Sequence, residues 1–295
     1  MLKGVFTPMI TAFDKAGNLD FKANGALIDR LIAGKVNGIL FMGSIGEFFN
    51  LDMHEKKAFI DFAVKAVNKR VPVLVGTGGT NVNEVVELTQ YSYKAGVDYA
   101  VVISPYYFKL DDASLYQYYA VVAKSSRLPL LIYNFPDRTG VDLSPTLVKM
   151  LALDFPNIVG IKDTVDNISH TRKLVAAIKP ERPDFSILSG FDEYLVPNLL
   201  AGGDGLIGGL SNLVPTLFSG LYQAFLAEDF KVVTSAQARI TQLMALYDVT
   251  NPFVLAIKEA VSNATKLCTP FMRRPVPDVN KEKIKRIEQL IAGIN

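Results

Sequence analysis

The chain has 295 residues, 49% of them hydrophobic and 20% charged, and its mean hydropathy of +0.23 excludes the low-hydrophobicity, high-charge composition that keeps chains disordered. Lys plus Arg number 31 against 29 Asp plus Glu, so there is no global field of the kind nucleic-acid binding uses, and a pI of 8.4 is too mild to create one. No apolar run approaches the roughly 18 residues of a membrane helix, because stretches such as Leu128 to Tyr133 stop at Asn134 and Pro136.

Met1 to Phe13 lacks the long apolar stretch and small-residue cleavage site of a secretory signal, so a cytoplasmic protein is expected. At about 150 residues per domain, the length allows two domains or one large barrel with an extension. Cys268 alone permits no internal disulfide, and with only His54 and His170 beside it the chain is poorly supplied with zinc ligands. Chemistry without metal or cofactor is therefore the expectation.

Taken in order, short β-branched or apolar runs predict strands at Gly4 to Met9, Gly38 to Met42, Val71 to Val75, Tyr99 to Ile103, Leu128 to Tyr133, Ile158 to Lys162, Phe185 to Leu188 and Asp204 to Ile207. Amphipathic segments lie between them: Phe21 to Lys35, Met53 to Lys69, Val82 to Ala95, Ala113 to Ser125, Pro145 to Leu153 and Ile168 to Lys179. Strand alternating with helix argues for a parallel sheet, whose strands are buried on both faces and so read as near-continuous apolar runs. Eight such units predict an α/β protein, a (β/α)8 TIM barrel over residues 1–227; a doubly wound sheet is the alternative. Residues 228–295 show helical patterns broken near Asn251-Pro252 and Arg274 to Pro277, and are expected to form a C-terminal helical extension.

Several motifs resemble chemistry without its context. Gly203 to Gly208 matches G-x-G-x-x-G, but the candidate strand lies inside the motif rather than before it, and Pro215 follows soon after. Gly76-Thr77-Gly78-Gly79-Thr80 has no lysine at the P-loop position and reads as a tight turn with Thr80 or Asn81 capping the next helix. His54-Glu55-Lys56-Lys57 has Ala58 where a second zinc-binding histidine would stand, and reads as an exposed first turn.

In a barrel, functional groups belong at the C-terminal ends of the strands. Ser44 follows the second strand, Tyr106 and Tyr107 the fourth, Tyr133 ends the fifth, Lys162 the sixth, and Gly190 follows the seventh. Lys162 closes the apolar run from Asn157, which places its ammonium on a buried strand. Burial disfavours the charged form, and a neutral amine attacks a carbonyl to form a Schiff base. The alternative is a lysine paired with a nearby acid such as Asp163. Tyr133 could move protons at such a site or be a buried aromatic with a satisfied hydroxyl.

Gly43-Ser44-Ile45-Gly46-Glu47, Tyr133-Asn134-Phe135-Pro136 and Gly160-Ile161-Lys162-Asp163-Thr164 together resemble, in order and spacing, the motifs of the pyruvate-dependent class I lyases that include dihydrodipicolinate synthase, N-acetylneuraminate lyase and 2-keto-3-deoxygluconate aldolases. The resemblance covers nearly the whole chain. It implies that Lys162 forms the imine, Tyr133 is the general acid/base, Ser44 is a relay hydroxyl whose backbone helps bind the pyruvyl carboxylate, and Tyr107 is a third relay member contributed across a homotetramer. Ile45 departs from the family's usual threonine, losing a hydroxyl and keeping the N–H.

The substrate signals are mixed. Gly190-Phe191-Asp192-Glu193 and Thr164 resemble positions that hydrogen-bond a polyol chain in the sugar-acid lyases, although Asp192 and Glu193 also read as the acidic first turn of a helix. Arg138 resembles the arginine that receives the carboxylate of aspartate semialdehyde, and would equally suit the far end of a dicarboxylic sugar acid. Gly208 belongs to the expected substrate-binding set, and Gly209 departs from the serine common in sialic-acid lyases. The ketodeoxygluconate branch fits best: a small-molecule aldolase yielding pyruvate and an aldehyde, with dihydrodipicolinate synthase, neuraminate lyase, a dehydratase or a non-catalytic keto-acid sensor as alternatives.

Overall fold

The computed structural model describes residues 1–293. Eight strands, β1 (Gly4–Pro8), β2 (Gly38–Phe41), β3 (Val73–Gly76), β4 (Tyr99–Ile103), β5 (Leu130–Asn134), β6 (Ile158–Asp163), β7 (Ser186–Ser189) and β8 (Gly205–Ile207), hydrogen-bond in sequence order into a closed barrel. Each registered pair is parallel. Closure removes the doubly wound alternative, which leaves open edges. All eight predicted strands form, trimmed or shifted by a residue or two at their ends. The expected run from Val71 begins instead at Val73, whose N–H is taken by the Asp98 side chain at 2.8 Å.

The helices are α1 (Phe21–Ala33), α2 (Met53–Val67), α3 (Val82–Ala95), α4 (Asp112–Ser125), α5 (Pro136–Thr139), α6 (Pro145–Asp154), α7 (Ile168–Ile178), α8 (Leu195–Leu200), α9 (Pro215–Leu226), α10 (Phe230–Met244), α11 (Val254–Thr265) and α12 (Lys281–Ile291). The last three make a C-terminal helical extension, interrupted around the two proline-containing breaks. Local signals account for many of the ends. Asp52 and Glu55 form a reciprocal capping box at α2, and Asn81 caps α3, which terminates at Gly96 in the left-handed conformation.

The chain divides into two compact units. The first comprises Met1–Gly4 and Pro72–Ile207; its core includes buried residues from both faces of β3 to β8, among them Leu74, Val101, Leu131, Ile161, Ile187 and Leu206, with helices α3 to α8 on the same unit. Asp204, expected as the first residue of β8, precedes it: its carboxylate accepts from Ile187 N–H at 2.9 Å and from Lys179 at 2.7 Å. The second unit takes Val5–Val71 and the chain from Gly208 onward. There Phe41 meets Phe59 edge-on at 5.8 Å, and Asn212 bridges the first loop by accepting from Ile10 N–H at 3.0 Å and donating to Pro8 O at 2.8 Å.

The motifs that lack a chemical context have structural occupations. Thr77 accepts from Thr89 at 2.9 Å and Gly79 O from the Tyr118 hydroxyl at 3.1 Å, so the glycine-rich turn is tied to α3 and α4. β8 lies inside the Gly203 to Gly208 run, and the chain leaves it through a short 3-10 turn, Gly209–Asn212. His54 is exposed in the first turn of α2.

Candidate active site

In the first unit, β5 and β6 pair so that Tyr133 lies opposite Lys162 and Asn134 opposite Asp163. Successive strand residues face opposite ways, so Tyr133 and Lys162 share one side. Lys162 is buried, only 4% exposed, and its Nζ stands 4.1 Å from the centroid of the Tyr133 ring. A lysine in its ammonium form over the face of a phenol ring is attracted by the ring's quadrupole. The alternative pairing of Lys162 with Asp163 is corrected: Asp163 faces away and accepts from Asn134 Nδ2 at 3.0 Å, with His170 Nδ1 at 2.8 Å from its other oxygen.

One residue beyond, Thr164 is buried and its Oγ1 has no hydrogen-bond partner among the described residues. A Cβ at Gly190 would fall 1.8 Å from that oxygen, so glycine is what lets the chain after β7 run against Thr164. Asp192 and Glu193 open a 3-10 turn, Asp192–Tyr194, ahead of α8. The expected helical first turn is therefore a short 3-10 one, which runs directly into the six residues of α8 and gives the acids only a short macrodipole to face. Asp192 is buried. The Glu193 carboxyl is pushed above its usual range by burial and by Asp166. Tyr194 donates to Asp166 at 2.5 Å, and that bond pushes its phenol up to about 12.

Arg138 sits exposed on α5, its guanidinium 5.5 Å from the Phe135 ring, which in turn stacks on Tyr133 at 5.8 Å. Tyr107 has a left-handed φ of 91°. It is 89% exposed beside Phe108, itself 73% exposed, the two rings meeting edge-on at 5.0 Å. In the single chain this aromatic pair stands in solvent.

The second unit carries the loop after β2. Met42 and Glu47 both adopt left-handed φ, 53° and 55°, and between them Gly46 O accepts from the Thr11 hydroxyl at 2.6 Å. Ser44 is half-buried, and its carbonyl accepts from Glu47 N–H at 3.2 Å. Glu47 is fully buried and pairs with the fully buried Lys258 of α11; Asn50 Nδ2 also donates to it at 3.0 Å. Burial draws the Lys258 amine below its ordinary pKa, against the pull of Glu47.

Gly208 and Gly209 are buried. A Cβ at Gly209 would fall 2.2 Å from Ile45 Cδ1 and 2.5 Å from the Tyr247 hydroxyl. Ile45 and Gly209 are therefore coupled: the tip of the isoleucine occupies space that a larger residue at position 209 would need.

Sequence reasoning missed the Glu47–Lys258 pair and the contacts of His170. A lysine inside the apolar run Val254 to Val261 was a readable signal for the first. A histidine on the buried face of α7, in line with Leu174 and Ile178, was one for the second.

Among the described residues, no three His, Cys, Asp or Glu side chains are grouped as metal ligands, and no helix is long and apolar enough to cross a membrane. The dihydrodipicolinate synthetase family model matches residues 1–294. The chain belongs to that family. Among its relatives it is similar to YagE of Escherichia coli K12, a candidate 2-dehydro-3-deoxy-D-gluconate aldolase, with 40% identity covering 99% of this chain and 96% of YagE. It is 36% identical to YjhH of the same organism, a candidate 2-dehydro-3-deoxy-D-pentonate aldolase, over 98% of this chain and 96% of the relative. The crystal structure of YagE in complex with pyruvate superposes with a TM-score of 0.97, at 39% identity over 100% of this chain and 99% of that one.

Proposed function

We propose that this chain is a Schiff-base class I aldolase that reversibly cleaves a 2-keto-3-deoxy sugar acid into pyruvate and an aldehyde. The observation that carries this is the buried Lys162 amine resting on the Tyr133 ring from the neighbouring strand, in a member of the dihydrodipicolinate synthetase family. The pyruvate bound to the similar YagE supports a pyruvyl substrate.

Lys162 adds to the C2 carbonyl and, with loss of water, forms an imine. Tyr133 removes the proton of the C4 hydroxyl, C4 becomes the aldehyde carbonyl, and the electrons of the C3–C4 bond flow into the protonated imine to leave an enamine. Protonation at C3 and hydrolysis release pyruvate and free the lysine. The iminium supplies the polarisation that a metal aldolase takes from zinc.

The remaining roles rest on the family resemblance. Ser44 relays protons and, with the N–H of Ile45, binds the pyruvyl carboxylate. Thr164, Gly190, Asp192, Glu193 and Gly208 form the substrate-binding set, with Arg138 as a carboxylate receptor. The unpartnered, buried Thr164 hydroxyl supports a hydroxylated substrate, because a substrate hydroxyl would satisfy a group that is costly to leave unpaired. The solvent-facing Tyr107 and Phe108 rings support an interface between copies of this chain; a homotetramer in which Tyr107 reaches a neighbour's site is what the family resemblance implies, and the cytoplasm is the proposed location.

The test is borohydride trapping of pyruvate, followed by pyruvate release from 2-keto-3-deoxygluconate and its pentonate analogue, with Lys162→Ala as control. Lysine-dependent trapping and release are expected. No adduct would refute the mechanism and favour a keto-acid sensor. Trapping without release would move the substrate to aspartate semialdehyde, the reading that exposed Arg138 favours.

A further inference from the structure

The reading of Lys162 and Tyr133 as the reacting pair raises the question of what fixes them relative to each other. Two strands joined by backbone bonds alone can shear and twist slightly, and misplacement of a catalytic group by about 1 Å can cost two orders of magnitude in rate. The residues next along each strand, Asn134 and Asp163, face the other way and are themselves in register.

Their side chains are bonded directly: Asn134 Nδ2 donates to Asp163 Oδ1 at 3.0 Å. The rest of the Asn134 side chain and its backbone carbonyl are also engaged. Nδ2 donates to Asp142 at 2.9 Å, Oδ1 accepts from Leu143 N–H at 3.1 Å, and the backbone carbonyl accepts from Thr164 N–H at 2.9 Å. Both Asn134 and Asp163 are buried, so these bonds exchange little with water.

His170, from α7, completes the arrangement. Its Nδ1 is 2.8 Å from Asp163 Oδ2 and its Nε2 is 3.2 Å from Leu143 O. A carboxylate and a peptide carbonyl can only accept, so both ring nitrogens must donate, and the ring that fits is the imidazolium. The charged groups facing it are Asp163 from β6 and Asp142, 3.6 Å from Nε2, from the segment before α6. Against the opposing effect of burial, these two acids and the Leu143 carbonyl hold the ring's pKa above the ordinary histidine value.

We propose that Asn134, Asp163 and His170 are positioning residues: a charged clamp behind β5 and β6 that fixes the height and facing of Tyr133 and Lys162 on the other side. The clamp touches no substrate. Its effect is on the chemical step rather than on binding, and the donor toward Asp163 Oδ2 is the part that matters.

The experiment compares His170→Phe, which keeps a ring and removes both donors, with His170→Asn, which keeps one N–H near the Nδ1 position. The full chain is used, well below its unfolding temperature, and read by steady-state kinetics and by the rate of borohydride trapping of pyruvate. His170→Phe is expected to lower kcat and the trapping rate by about tenfold to a hundredfold, with KM within about twofold. His170→Asn is expected to recover most of that loss. Asp163→Asn, which preserves volume and removes the charge, should reproduce the phenylalanine result if that variant folds poorly.

A folded His170→Phe or Asp163→Asn protein with kcat and trapping within about twofold of wild type would overturn the clamp while leaving the aldolase reading intact. Failure of the asparagine variant to recover the rate would overturn the assigned role of the Asp163 donor. Absence of trapping in the wild-type protein would overturn both readings together.

Discussion

Replacing Lys258 by methionine is expected to destabilise the protein by about 3 to 5 kcal/mol, the range for removing one partner of a buried ion pair. Neither Lys258 nor Glu47 has measurable side-chain exposure, so water cannot replace the lost ammonium. The methionine fills most of the volume and still packs against Phe13, whose ring centroid lies 4.8 Å from the lysine nitrogen. The cost is therefore electrostatic: the Glu47 carboxylate keeps the Asn50 amide, at 3.0 Å, and loses the ammonium paired with it. Adding Glu47→Gln removes the stranded charge while leaving an oxygen for Asn50. The double variant is expected to recover about 2 to 3 kcal/mol, which a double-mutant cycle reports as coupling. Urea unfolding at neutral pH, comparing midpoints at constant slope, measures all four corners of the cycle. A single variant within about 1 kcal/mol of wild type, or a double variant no more stable than Lys258→Met alone, would refute the electrostatic account.

Gly209→Ser is expected to cost about 1 to 3 kcal/mol by overpacking, since its Cβ would collide with Ile45 and Tyr247; thermal unfolding should show Ile45→Ala relieving part of that loss, the Tyr247 contact remaining. His170 has a folded-state pKa raised by its acidic neighbours, so its stabilising effect is fully present below about 6.5 and is lost as pH rises through the folded value. Urea midpoints from mildly acidic to alkaline pH should therefore fall more steeply for wild type than for His170→Asn. Glu55 has the opposite sign: hydrogen bonding to Arg273 is the leading cause that lowers its pKa. Its stabilising effect should be present above the ordinary carboxylate value and lost as pH falls through the folded one, a loss that Arg273→Met should reduce in acid unfolding curves, the Asp52 N–H remaining as a partner.

The barrel was legible because parallel strands are covered on both faces and so print uninterrupted apolar runs. Their ends were less so. Whether Val71 or Val73 begins a strand depends on where the Asp98 side chain caps the backbone, which no local propensity encodes. The single turns at Pro136–Thr139 and Asp192–Tyr194 are too short to carry a period. In the site, Lys162 was visible because a cation closing an apolar strand breaks the local pattern. Glu47 and Lys258 are separated by 211 positions, so no spacing rule joins them. His170 was weighed only as a metal ligand, and its partners come from β6 and the segment before α6.

The contact between Ile45 and position 209 also orders change in time. A side chain at 209 is not a neutral single step from this chain, because its Cβ requires the tip of Ile45 and the Tyr247 hydroxyl to move aside. Loss of bulk at position 45 removes the nearer of those two contacts before the second substitution arrives. Change at residue 209 is therefore easier after change at residue 45, and libraries that vary the two together should return more well-folded protein than those that vary 209 alone.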